Sequence, residues 1–281
     1  MIPKSIKNLC QLNKSEFVAS ISVGLGKIFE SCEALHRSSC LLFEKGEYRT
    51  GKILKILGNE EAAKFFILLD AIQCPPEQKE NLARQLEKFN EHLAKGLYSK
   101  LFEWKPDKYG TLKHYVSGEL EGHYLVNAGG FSWIFRNNIL DQRDSAIYVD
   151  YIQIDDYWHK WQDPRPEYYV LDGVVSYNSV IEMVRAFYYT GVIEVEALNE
   201  YAKYWRDFEF SDETKYGEFK RGNEAFLSIL DEKGMLKEAP EICYQTIKDE
   251  YPFPLYKEEM KVRKVSLKSL KDRQRTENYE M

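Results

Sequence analysis

The chain has 281 residues, 44% of them hydrophobic and 30% charged, enough to bury a sizeable core as one large domain or two small ones. A net charge of -6 argues against a surface built globally for polyanions and leaves any nucleic-acid contact to a local basic patch. The five cysteines form no C-x-x-C pair, the N-terminal stretch lacks the apolar run of a signal peptide, and nothing approaches the roughly 20 apolar residues of a membrane span. These features predict reduced cysteines, a cytoplasmic location and no membrane partner.

The first long segment, SEFVASISVGLGKIFESCEALHRSSCLLFEKG, predicts a helix with Ser15 as N-cap and Gly46 as stop, loosened at Gly24 and Gly26. KILKILGNEEAAKFFILLDAI follows as a second helix, closed by the prolines of CPP at 74–76. EQKENLARQLEKFNEHLAKGLYSKLFEW then carries Leu82, Leu86, Phe89, Leu93 and Leu97 on one stripe and predicts a third helix. From Lys105 to Pro166 glycines and aromatics multiply. A short helix is expected around FSWIFRNNIL, and RDSAIYVDYIQIDDYWHKWQDPRP reads as an extended, ordered surface segment. After Gly173 three helices resume as SYNSVIEMVRAFYYTG, VEALNEYAKYWRDFEF and YGEFKRGNEAFLSILDEKG, and the basic stretch from Lys261 to Met281 predicts a flexible or partner-binding tail. The sum is an all-α bundle of long antiparallel helices with an aromatic-rich loop and a C-terminal helical extension.

The second helix carries an anomaly. On a wheel of about 100° per residue, Lys52, Lys55, Asn59 and Asp70 gather on a side expected to face water. Glu60, Glu61 and Lys64 fall instead among the apolar residues Ile53, Leu57, Leu68 and Ala71. Charges turned inward require partners, either an internal ion pair at i,i+3 or i,i+4 spacing or a functional site. His92 and Lys95 form a second cluster on the third helix, with His92 flanking its apolar stripe and Lys95 further toward the polar side. Antiparallel packing of the two helices would bring the first group near His92. No standard fingerprint assigns them a chemistry. Glu33 and His36 are the sole E-x-x-H pair, where a di-iron bundle needs two, and neither G-x-x-x-x-G-K-[ST] nor G-x-S-x-G occurs. No metal and no cofactor is expected.

The segments EALHRSSCLLFEKGEYRTGKIL, NEEAAK, EHLAK and RDSAIYVDY before a Trp/Pro turn, in that order over about residues 20–190, resemble the AbiV family of abortive-infection proteins. That family is a branch of the HEPN-type helical proteins. Ala63 stands where the family commonly carries Gly, and residues 191–281 have no counterpart, so the expected division is a HEPN-like bundle over 14–190 and an extension over 191–281. The resemblance implies a cytosolic antiphage protein, a homodimer formed through the bundle, and a phage protein as trigger. It also implies that growth or translation is arrested through a cellular, RNA or translation-related target. Many HEPN proteins are metal-independent ribonucleases with R-x4-6-H motifs, a spacing this chain lacks: seven residues separate Arg84 from His92. Cleavage would need a base near the ribose 2′-OH and a cation on phosphate. His92 would be the base, Lys64, Lys95 or Arg143 the cation, and Glu60 or Glu61 the group that orients them. Cleavage is the alternative; in the reading that ranks first, these residues form a polar network that fixes helix register, and the loop residues Tyr148, Asp150, Trp158 and Trp161 bind a partner.

Overall fold

The computed structural model describes residues 5–75, 77–121, 138–153, 159–164 and 179–261. Among the described residues the fold is all-α apart from one β-hairpin. Helix α1 (Lys14–Glu44) is capped by Asn13 rather than by Ser15: the Asn13 Oδ1 accepts from Glu16 N at 3.0 Å, and the Glu16 carboxylate accepts from Asn13 N at 3.3 Å. The reciprocal pair satisfies two helix-end N–H groups at once, which a serine inside the first turn does not. The helix runs unbroken through Gly24 and Gly26. It stops where Gly46, at φ 78°, reverses the chain. Helix α2 (Tyr48–Gln73) returns along α1.

The first half of α2 is half-exposed, but every residue from Phe65 to Gln73 is buried. The helix is wrapped by α1, α3 (Lys79–Glu87), α4 (His92–Lys100), α7 (Ser179–Tyr189) and α8 (Val195–Asp207). This overturns the expectation that Asp70 faces water. Its carboxylate is sealed in, accepting from Tyr98 Oη at 2.5 Å and from Leu255 N at 2.7 Å. Desolvation pushes its pKa up to about 6 against the pull of those hydrogen bonds. Cys74 adopts ψ 130° before Pro75, ending the helix. The Arg206 guanidinium covers the terminal carbonyls, donating to Ile72 O at 2.5 Å, Cys74 O at 3.2 Å and Gln73 O at 3.3 Å. A cation there also complements the helix dipole.

The helix predicted over residues 77–104 is broken into α3, a 3-10 turn (Lys88–Asn90) and α4. The Lys88 ammonium is buried, donating to Gln85 Oε1 at 2.8 Å and to Leu255 O at 2.9 Å. Behind it Glu91 takes extended angles of φ -90° and ψ 120°, so α4 starts afresh at His92. Two helices were not anticipated, α5 (Tyr109–Glu121) and α10 (Glu241–Glu250). Helix α6 (Asn138–Ile147) takes in RDSAI, which the sequence reading made extended. The rest of that reading is closer: β1 (Asp150–Gln153) pairs antiparallel with β2 (His159–Gln162), Tyr151 opposite Trp161. Residues 131–137 of the predicted FSWIFRNNIL helix and the tail from 262 onward lie outside the described residues.

Helices α7, α8 and α9 (Tyr216–Glu232) match the three predicted late helices. Phe65 and Phe66 on α2 share one core with Phe187, Trp205, Phe219 and the buried Tyr251 and Phe253. Each such side chain contributes about 1.5–3 kcal/mol of burial. An Arg185–Glu33 pair at 2.5 and 3.1 Å joins α7 to α1. All five cysteines are free thiols, and no described helix is long and apolar enough to cross a membrane.

Candidate functional site

Three helices converge on the carboxylate of Glu60. From α4, His92 Nδ1 lies 2.9 and 3.0 Å from its two oxygens, and Lys95 Nζ donates to Oε2 at 2.9 Å. From α6, Arg143 Nε donates to Oε1 at 2.8 Å, while its Nη1 holds Asp144 at 2.8 Å. The three-residue step from His92 to Lys95 puts both on one side of α4 facing α2. Gly96 sets how close α6 can come: a Cβ there would lie 2.1 Å from Ile139 Cγ2. Only hydrogen at this position lets Arg143 reach across to α2.

Burial pushes the Glu60 carboxyl up, but the hydrogen bonds and positive fields of Lys95 and His92 outweigh it and hold the group below the usual carboxylate range. Desolvation likewise works against Arg143, and Glu60 with Asp144 more than restores its charge. An ionised Glu60 can only accept, so His92 Nδ1 is the donor, and whenever the ring is neutral its Nε2 holds the lone pair. The His92 side chain is 45% exposed, against 10% for Glu60 and 7% for Lys95. Lys95 is therefore a neutralising charge behind Glu60, and the imidazole is the most exposed member of the cluster.

It meets solvent in a cleft of about 430 Å³ between α2, α4 and α6, whose walls include Glu60, His92 and Arg143. The inward turn of Glu60 and its meeting with His92 follow the sequence reading; Lys95, expected toward the polar side of its helix, is instead buried against Glu60 because that carboxylate requires a neutralising charge, and Arg143 reaches the same carboxylate from α6. Glu61 and Lys64 do not join them: they pair with each other one turn on, half-exposed, with the Lys64 ammonium 5.1 Å from the Phe89 ring centroid, and neither lines the cleft. Arg84 bonds Asn81 on the surface of α3 at 2.8 Å, so the arginine beside His92 comes from α6. Tyr148 and Trp161 are exposed on and before the hairpin, Asp150 begins β1, and Trp158 lies outside the described residues. The sequence reading missed Lys52 and Lys55, which line the cleft. The available signal was their place on the wheel beside Asn59, next to Glu60. Among the described residues no group of three or more His, Cys, Asp or Glu is placed to hold a metal ion.

None of the curated proteins and none of the solved structures matches the chain. The HEPN_AbiV family model, described as AbiV, matches residues 21–165, a span that contains Glu60, His92, Lys95 and Arg143 and covers just over half of the 281 residues. The chain therefore belongs to the AbiV family of HEPN proteins, a membership that points to a role in abortive infection against phage.

Proposed function

We propose that this protein acts in antiphage defence by cleaving RNA without a metal ion, with the cleft above Glu60 as its active site. The observation that carries the reading is the Glu60–His92 pair, closed at Nδ1 by contacts of 2.9 and 3.0 Å and open to the cleft at the imidazole's other edge. A carboxylate bonded to Nδ1 fixes the tautomer and orientation of a general base. His92 Nε2 removes the proton of a ribose 2′-OH, and that oxygen attacks the adjacent phosphorus. The bond from phosphorus to the 5′-oxygen breaks. A 2′,3′-cyclic phosphate remains, and the departing 5′-oxygen takes a proton back from the His92 imidazolium. Arg143 stabilises the charge gathering on the phosphate oxygens, as a preorganised cation does in a partly dehydrated cleft.

The test is cleavage of total cellular RNA by the purified, growth-arresting protein in the presence of a chelator. We expect His92→Ala to keep its fold, because Lys95 and Arg143 still neutralise Glu60, and to lose RNA cleavage and toxicity together. Absence of cleavage by an active wild-type preparation rules the reading out. A second reading is arrest of growth or translation by binding a cellular or phage target without chemistry. It draws on the exposed Tyr148, Tyr151 and Trp161, large rings on or beside the hairpin that follows α6. In that case toxicity survives His92→Ala and falls with Trp161→Ala.

A further inference from the structure

The family match ends at residue 165, yet a segment far beyond it bears on the site. After α10 the chain crosses the core without regular structure, and every residue from Tyr251 to Leu255 is buried. Pro252 and Pro254 have no N–H, so this strap carries fewer backbone donors that need partners away from water. Leu255 is held through both of its backbone groups. Its N–H donates to Asp70 on α2 at 2.7 Å, and its carbonyl accepts from the buried Lys88 ammonium at 2.9 Å.

The two ends of this clamp reach different places. Asp70 lies in the enclosed half of α2, and its partner Tyr98 sits in the packed body of α4. Lys88 opens the turn from which α4 starts. That start is not fixed locally, since Glu91, at the N-cap position, makes no side-chain capping bond. Instead the Lys88 carbonyl accepts from Glu91 N at 3.1 Å, and the Glu91 carbonyl accepts from Lys95 N at 3.1 Å. Backbone bonds thus lead from the residue that grips the strap to a residue that grips Glu60, and His92 is the first helical residue between them. A buried ammonium is an expensive occupant of a turn. A leucine would fill the space but leave the Leu255 carbonyl and Gln85 Oε1 without this donor. What the charge adds is direction, because a donor aimed by two acceptors sets the turn and with it the line along which α4 leaves.

We infer that Lys88 is a positioning residue for His92, and that the strap Tyr251–Met260 controls the site through it. While Leu255 is docked, α4 starts where His92 Nδ1 meets Glu60; when the strap lifts, that contact is lost. As a statement about rate this rests on the reading of His92 as a catalytic base, whereas the positional claim is tested without RNA.

The test reads the imidazole directly. Nitrogen resonances of isotope-labelled histidine are recorded for the full-length protein at a pH where the ring is neutral, and those of His92 are assigned by their loss in His92→Ala. We expect a protonated Nδ1 and a bare Nε2 in the wild type. Lys88→Met should lose this single tautomer and approach the mixture of free imidazole. Its kcat for RNA should fall about 10–100-fold with KM changed less than about twofold, the pattern of a misplaced catalytic group. Phe253→Ala loosens the strap where its ring packs on Phe219, leaves Lys88 in place, and should move the tautomer in the same way. Leu230→Ala opens a cavity in α9, which packs chiefly on α8 and α10, and should lower the melting temperature without moving the tautomer. If Lys88→Met does not fold, Phe253→Ala compared with Leu230→Ala decides alone. An unchanged His92 tautomer in a folded Lys88→Met or in Phe253→Ala, or the same change in Leu230→Ala, overturns the inference. A strap-dependent tautomer in a protein that cleaves no RNA keeps the positional claim and removes the catalytic reading. Cleavage by the wild type with an undiminished rate in Lys88→Met does the reverse.

Discussion

Helix α2 carries two inward carboxylates ten residues apart, and the protein treats them in opposite ways. Asp70 is sealed: it accepts from a tyrosine and a backbone N–H, and no ammonium or guanidinium is paired with it within ion-pair distance among the described residues. Glu60 is surrounded by an imidazole, an ammonium and a guanidinium from two other helices, and two of these partners, His92 and Arg143, line a cleft. Burial dominates the first and lifts its pKa; charge compensation dominates the second and lowers it. Depth alone therefore does not mark a site. An ionised group held by more cations than its own charge requires, beside open volume, is what distinguishes the carboxylate of the proposed site from the structural one.

The largest effect that would sharpen this contrast is expected at the sealed position. Asp70→Ala strands the Tyr98 hydroxyl and the Leu255 N–H, each buried and each costing about 1–3 kcal/mol when left unsatisfied. We expect a loss of about 3–5 kcal/mol in denaturant unfolding, with activity falling only as far as the folded fraction does. A variant that unfolds normally but is inactive would place Asp70 in the site and dissolve the distinction.

Next in size is Gly96→Ala. The added methyl would meet Ile139 Cγ2 at 2.1 Å, an atom fixed at a branched Cβ, so α6 must move away from α4. Overpacking of this kind costs about 1–3 kcal/mol, and here the displaced helix also carries Arg143. We expect weakened stability with a disproportionate loss of function, both restored in part by Ile139→Ala. Restored stability without any return of function would show that the position of α6 is irrelevant to the site.

How much of this contrast was legible in the sequence follows from how a helical wheel works. It assumes one wet and one dry side, which holds for the first half of α2 and finds Glu60. From Phe65 to Gln73 the helix is enclosed on all sides, so the same wheel sends Asp70 to solvent. Nor can a wheel tell Glu60 from Glu61 and Lys64, because the stripe says which way a side chain leaves the helix and not what waits there. His92 reached the right neighbourhood from antiparallel packing. Arg143 entered through the resemblance, since its partner lies 83 residues away. The break before His92 stayed hidden for a related reason: the turn that precedes it is held by Lys88 donating to the carbonyl of Leu255, a contact between residues 167 apart. Helix α5, whose sequence carries Gly110 and Gly118, lacks the strong apolar period that revealed the others.

The smallest expected effect, and the most direct probe of the comparison, is the response to pH. Glu60 has a folded pKa below its ordinary value of 4.5, so its contribution to stability is complete above that value and is lost as pH falls through the depressed one. Asp70 has a folded pKa raised from 3.8 to about 6. Its contribution is therefore complete below the unfolded value and is lost as pH rises through about 6. The two carboxylates of α2 tilt the stability curve in opposite directions. We expect Glu60→Gln to flatten the acid limb, removing part of the wild-type loss below the ordinary carboxylate range. Asp70→Asn should flatten the opposite limb, removing part of the decline toward neutrality. Denaturant midpoints measured from about pH 3 to pH 7 for the wild type and both variants read the slopes directly, since each slope counts the difference in bound protons between unfolded and folded chains. If both variants shift the curve in the same direction, the two carboxylates share one environment, and Glu60 loses the charge compensation on which its place in the proposed site rests.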